Sequence, residues 1–92
     1  MTKEGKMTPS RIFKVIGNPK RLSIVVLLSK RPNLSLGEVA LELQSNVKTT
    51  SAHLACLTES GLVKKSSRGR SVLHALDSDG DKVINILETY FN

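Results

Sequence analysis

The chain has 92 residues, 39% of them apolar, a formal net charge of +6 and one cysteine. That length supports a single hydrophobic core and not two, and one cysteine excludes an intramolecular disulfide framework. The start, "MTKEGKM", has no apolar run behind its charges, and the longest apolar run, Ile24–Leu28, is far too short to span a bilayer; the expectation is a soluble, cytoplasmic protein.

Thr8-Pro9 reads as an N-cap with proline at the first helical position, opening a helix "PSRIFKVI" that Gly17 ends. Asn18-Pro19 repeats the signal ahead of "KRLSIVVLLSK". Leu22, Ile24, Val25, Val26, Leu27 and Leu28 are apolar nearly all round, so this helix is expected to run through the middle of the core. A buried strand competes for "SIVVLL", but the cap and the total length favour helix, and Pro32 stops it. Ser35 and Glu38 have the spacing of a capping box at the head of "LGEVALEL", whose Leu36, Val39, Ala40 and Leu43 face inward. After "QSN", Ser45 or Asn46 caps "VKTTSAHLACLTES", and Gly61 closes that helix.

Beyond Gly61 the pattern changes. "LVKKS" and "SVLHAL" are short β-type runs joined by the polar turn "SRGR", which predicts a hairpin with a basic tip. Ser78 or Asp79 then caps a last helix, "GDKVINILETYF". The order α-α-α-α-β-β-α, mainly α with a small β-hairpin wing, has the form of a winged helix-turn-helix. Residues 1–92 read as one DNA-binding domain, with 1–7 as a flexible N-terminal tail.

Charge is unevenly distributed. Residues 1–76 carry thirteen Lys/Arg against four Asp/Glu, a net of +9, whereas 77–92 carry one Lys against four Asp/Glu, a net of −3. A basic body suits a polyanionic partner, because neutralising phosphates releases condensed counterions. Phe13, Tyr90 and Phe91 are the only aromatic residues, so the basic body, with Phe13 alone, lacks the set of stacking platforms that single-strand binders use, and duplex DNA is the better partner. At ~100° per residue, Val47, Thr50, Leu54 and Leu57 of the fourth helix fall in one inward sector. Lys48, Thr49, Ala52 and Glu59 lie roughly opposite, and His53 sits on the flank. Lys48 and Thr49, in the first turn, are the leading candidates for base contact. Lys64, Lys65, Arg68 and Arg70 are the phosphate-contact candidates, with Arg68 placed to reach the minor groove. The full candidate DNA-binding set is Ser35, Lys48, Thr49, Thr50, Ser51, Ala52, His53, Lys64, Lys65, Arg68 and Arg70, although the wheel turns Thr50 inward.

"IFKVIGNPKRLSIVVLL", "SLGEVALELQ", "TSAHLACLTESGLVKK" and "RGRSVLHAL" together resemble the ArsR/SmtB-type family of bacterial winged-helix repressors, in register over roughly residues 12–76. The resemblance implies a homodimeric transcriptional repressor that binds a pseudo-palindromic operator and dimerises through its first and last helices. The expected interface is Ile12, Phe13 and Ile16 with Val83, Ile84, Leu87, Tyr90 and Phe91. The residues themselves point the same way: Val83, Ile84, Ile86, Leu87, Tyr90 and Phe91 form a stripe too wide for one partner. Two departures stand out. Thr50 replaces a typical apolar residue and Ala52 a frequent arginine, so operator preference does not transfer from the family.

His53 and Cys56, three residues apart on one helix, admit three readings: metal ligands, a catalytic or redox pair, or unrelated residues. Tetrahedral zinc needs at least three protein ligands. The family's thiolate site calls for a Cys-x-Cys motif in the third helix, which has no cysteine, and its other site needs histidine on the last helix, which offers only Asp79, Asp81 and Glu88. No metal, no cofactor and no catalysis is therefore expected, since a dyad also requires a pocket and an orienting group. Cys56 is expected to pack as a small hydrophobe and His74 to pack within the wing. The leading function is a DNA-binding repressor that does not respond to metal. The alternatives are a winged-helix protein-interaction module and a redox-gated sensor using Cys56.

Overall fold

Two Xaa-Pro steps start the first two helices as the sequence predicts. In the computed structural model, which describes residues 8–91, Thr8 caps α1 (Pro9–Ile16) and Asn18 caps α2 (Pro19–Lys30), the Asn18 side chain accepting from the N–H groups of Lys20 and Arg21. The tail expected over 1–7 lies outside the described residues. The capping box forms at α3 (Leu36–Glu42): Glu38 N–H donates to the Ser35 hydroxyl, and Ser35 N–H donates to the Glu38 carboxylate at 2.8 Å. Ser35 holds the Glu38 carboxylate below the usual carboxylate range, first through its backbone N–H and second through its hydroxyl. Asn46 rather than Ser45 caps α4 (Val47–Glu59). The hairpin is β1 (Val63–Arg68) against β2 (Ser71–Leu76), antiparallel, and α5 (Ser78–Phe91) ends the chain.

Two boundaries differ from expectation. The first hairpin strand extends to Arg68, which pairs with Ser71, where the second strand begins as expected, so only Gly69 and Arg70 form the turn. Gly69 takes the positive φ that the first position of a tight hairpin turn demands. At α5 the cap shifts back to Asp77, whose carboxylate accepts the Ser78 N–H and whose carbonyl accepts the Asp81 N–H.

Helix α2 is the centre. Ile24, Val25 and Leu28 are buried and Leu22, Val26 and Leu27 half-buried, because α1, α4, α5 and β2 all pack against it. Val15, Val39, Leu54, Leu57, Leu62, Val63, Leu76 and Val83 complete the core. Val47 corrects the helical wheel: it is 54% exposed, because the first turn of α4 projects beyond the packed part of the helix.

Helices α3 and α4 end in the same hydrogen-bond pattern. After α4, Leu62 N–H reaches the Leu57 carbonyl and Gly61 N–H the Thr58 carbonyl, with Gly61 at φ +88°. After α3, Ser45 N–H reaches Ala40 and Gln44 N–H reaches Leu41, and here Gln44 supplies the left-handed residue at φ 50°. The turn between the two helices is therefore a Schellman stop without glycine.

Helix α5 begins hard against the α4–β1 junction. A Cβ at Gly80 would stand 2.3 Å from the Leu62 carbonyl oxygen, which also accepts the Asp77 N–H at 2.9 Å. Gly80→Ala should cost about 1–3 kcal/mol in urea unfolding, the range for overpacking a rigid contact. Gly37→Ala, with open space around the added carbon, should be neutral or stabilise by up to about 1 kcal/mol.

Candidate nucleic-acid interface

The outward face of α4 follows from its narrow inner edge. Thr50, Leu54 and Leu57 are buried, whereas Lys48, Thr49, Ser51, Ala52, Ala55 and Glu59 are exposed. Asn46 anchors the first turn by accepting from the N–H groups of Lys48 at 2.7 Å and Thr49 at 3.1 Å, which leaves both side chains free. Of the candidates on this helix, Lys48, Thr49, Ser51 and Ala52 share the open face. Thr50 does not: it is 1% exposed, and its hydroxyl donates to the Asn46 carbonyl at 2.8 Å. This corrects its place among the contact residues. Its polar atom is satisfied inside, so it fills an apolar position without an unpaired hydroxyl.

His53 lies half-buried on the flank that faces α2. Burial first, then the charges of Arg21 and Lys20, pushes its pKa below the ordinary histidine value. Cys56, one turn on, is also half-buried, more open than the buried hydrophobe expected, because α1 covers it only in part. Ser35 sits at the head of α3 with its hydroxyl engaged in the cap and the Glu38 carboxylate beside it.

The hairpin flanks the opposite side of α4. Lys64, Lys65, Arg68 and Arg70 are all exposed, and none takes part in the ion pairs among the described residues, Arg31–Glu42 and Lys82–Asp79. Strand alternation divides them. Lys65 lines a narrow cleft of about 120 Å³ with Ser51, Ala55 and His74, so it faces α4, while Lys64 and Arg68 fall on the other face of the ribbon.

His74 holds this hairpin to the helix pair. Its Nδ1 lies 3.0 Å from the Leu34 carbonyl, its own carbonyl accepts the N–H groups of Asn33 and Leu34, and its N–H donates back to Leu34 at 2.8 Å. Packing within the wing, expected for His74, is what the structure shows, with the bond to Leu34 added. Leu34 immediately precedes the α3 cap, so β2 is pinned to the start of the helix pair.

The residues expected to dimerise line a second surface. Ile12, Phe13, Ile16, Val83 and Leu87, together with Ile86, form an apolar groove of about 300 Å³ between α1 and α5. Phe13, Ile86, Tyr90 and Phe91 are largely exposed, Phe13 by 68% and Tyr90 by 80%. The Tyr90 and Phe91 rings meet edge to face at 5.0 Å. Ile12, Ile16, Ile84 and Leu87 are half-buried against the chain's own core. Val83 is 4% exposed and belongs to that core, which corrects its assignment to an intersubunit surface.

Sequence reasoning missed Lys20 and Arg21. They lie on another helix and come beside His53 only through packing, although their place in the first turn of a capped helix is visible in the chain. Among the described residues no group of three or more His, Cys, Asp or Glu side chains is placed to hold a metal, and no helix is long and apolar enough to cross a membrane.

Comparison with known proteins adds independent findings. The sequence profile described as "Bacterial regulatory protein, arsR family" matches residues 18–65. The arsenical resistance operon repressor of Escherichia coli (strain K12) is 34% identical over 70 residues, covering 76% of this chain and 60% of that protein. A cadmium resistance transcriptional regulatory protein CadC homolog of Staphylococcus aureus is 29% identical over 79 residues, covering 86% of this chain and 65% of that protein. The chain thus spans less than two thirds of the length of these relatives. Among solved structures, the homodimeric winged helix-turn-helix DNA-binding domain of a Mycobacterium bovis protein matches with a TM-score of 0.79 at 24% identity, covering 88% of this chain and 75% of that one. That likeness shows the winged helix-turn-helix fold.

The depressed pKa of His53 sets a sign for the pH dependence of stability. The unfolded chain takes up this proton more readily than the folded one, so stability is complete above the ordinary histidine value and falls as pH drops through it. The urea midpoint should decline as pH falls below the ordinary histidine value of 6.5, and His53→Gln should flatten that decline.

Proposed function

The chain belongs to the ArsR family of bacterial regulatory proteins, and from that premise we propose that it is a homodimeric cytoplasmic transcriptional repressor that binds a pseudo-palindromic duplex operator without responding to metal. The carrying observation is the outward face of α4, open along Lys48, Thr49, Ser51 and Ala52 and flanked by four hairpin cations with no carboxylate partner among the described residues. A major groove about 12 Å wide admits one such helix. The small side chains of Ser51 and Ala52 allow close approach, and Lys48 and Thr49 reach base edges from the first turn. Lys64, Arg68 and Arg70 neutralise backbone phosphates, and Lys65 acts from the α4 side of the ribbon.

Residues 1–92 act in this reading as one DNA-binding unit. Repression is suggested by the name of the Escherichia coli relative, and dimerisation by that of the Mycobacterium bovis neighbour together with the exposed α1–α5 groove. The metal signals in the relatives' names are not carried over, because α3 has no cysteine and α5 no histidine. In a two-fold dimer the two α4 helices would enter successive major grooves about 34 Å apart.

Three measurements test this reading. Duplexes selected from a random pool should be retarded in gels at low salt, and no retardation would instead favour a protein-interaction module. Arg68→Ala with Arg70→Ala should weaken binding to every duplex and lower the salt slope by about 4, two arginines from each subunit of the dimer, whereas Lys48→Ala should change the preferred sequence. Phe13→Glu or Ile86→Glu should convert a dimer into a monomer in sedimentation while preserving helical circular dichroism, because both side chains are exposed in the single chain.

A further inference from the structure

On the side of α4 away from the hairpin, α1, the first turn of α2 and α4 enclose a depression of about 660 Å³. Arg11 and Lys14 line it from α1, Arg21 from α2 and Cys56 from α4, with Thr8 and Ser10 supplying hydroxyls. Among the described residues no carboxylate lines it, and none of the three cations joins an ion pair. Arg21 is held in place, its Nε donating to the Val15 carbonyl at 2.7 Å. Its terminal guanidinium nitrogens make no hydrogen bond to protein among the described residues. Arg11 and Lys14 are one helical turn apart and present their charges from the same side of α1.

Three like charges converging on a concave surface repel one another unless an anion joins them, and a concave wall concentrates their field. A guanidinium anchored through Nε offers its remaining donors to two oxygens at once, the geometry that phosphate accepts. The volume falls within the range of small-molecule sites and exceeds what a bare inorganic ion needs.

We propose that this depression binds a small metabolite bearing phosphate groups. Arg21 is the fixed anchor, Arg11 and Lys14 close over the anion from α1, and Thr8 and Ser10 supply further hydrogen bonds. The concavity favours a compact ligand over the DNA backbone. A regulatory consequence rests on the DNA-binding reading above: Thr49, His53 and Cys56 follow one another along a single flank of α4, so an anion against Cys56 sits beside the surface offered to DNA. Its charge opposes phosphate there, and by linkage the ligand and DNA weaken each other's binding.

Inorganic pyrophosphate, titrated into the full chain at constant ionic strength with sodium sulfate in parallel, tests the site through amide chemical shifts. Saturable shifts should appear at Arg11, Lys14, Arg21 and Cys56. Arg11→Gln with Lys14→Gln should lower the affinity at least about tenfold, and Arg68→Ala with Arg70→Ala should leave it unchanged. Both α1 positions are exposed, and circular dichroism verifies that the variants fold. Shifts that never saturate, that spread over the hairpin, or that persist in the α1 variant overturn the site. So does a wild-type protein indifferent to pyrophosphate whose α1 variant loses DNA affinity and salt slope, because the cations then serve the DNA backbone. Retardation measured without pyrophosphate judges the DNA reading separately, so either can fail alone.

Discussion

Burial of the apolar side chains of α2, Ile24, Val25 and Leu28 fully and Leu22, Val26 and Leu27 in part, is the constraint on which the rest of the structure depends. A helix that is apolar almost all round cannot remain at a surface, and here α1, α4, α5 and β2 each cover part of it. Covering α2 consumes the inner face of every neighbour and so determines what each leaves outside. Helix α4 contributes only Thr50, Leu54 and Leu57 inward, which frees the opposite face. Helix α5 contributes Val83 and leaves Ile86, Tyr90 and Phe91 exposed.

The approach of the hairpin to α4 is governed by backbone contacts more than by side-chain packing. The Schellman stop at Gly61 turns the chain so that Leu62, fully buried, leads directly into β1. Gly80 lets α5 press on the Leu62 carbonyl, and the bonds between His74 and Leu34 tie β2 to the head of α3. One end of the ribbon is thus joined to α4 and its middle held to the head of α3, which sets the side of α4 along which it runs. A two-stranded hairpin alone is marginal in water, so these ties account for its order.

Charge then distributes itself on both flanks of α4: Lys64 and Lys65, with Arg68 and Arg70 further along the ribbon, on one side, and Lys20, Arg21, Arg11 and Lys14 on the other. The sequence shows that the first 76 residues are strongly basic, and the turn chemistry identifies the hairpin cations. The second group was not legible, because its members lie on α1 and α2, far from α4 in the chain. Val47 and Thr50 show the limit of the helical wheel. It gives angle about the axis but not how far along the axis the packing extends, so Val47 projects into solvent while Thr50, one turn on, is sealed inside.

By itself the sequence determined the order of elements, most of their caps, the central helix, the family resemblance and the basic character of the body. Each of these rests on short-range chemistry: side-chain caps, proline and glycine at fixed offsets, and apolar periodicity. Only the tertiary structure decided that Val47 projects into solvent while Val83 is sealed in the core, that His74 fastens the wing, and that three cations meet beside Cys56. Those outcomes depend on which surfaces remain once α2 is covered, and a property of neighbours distant in the chain leaves no local signature.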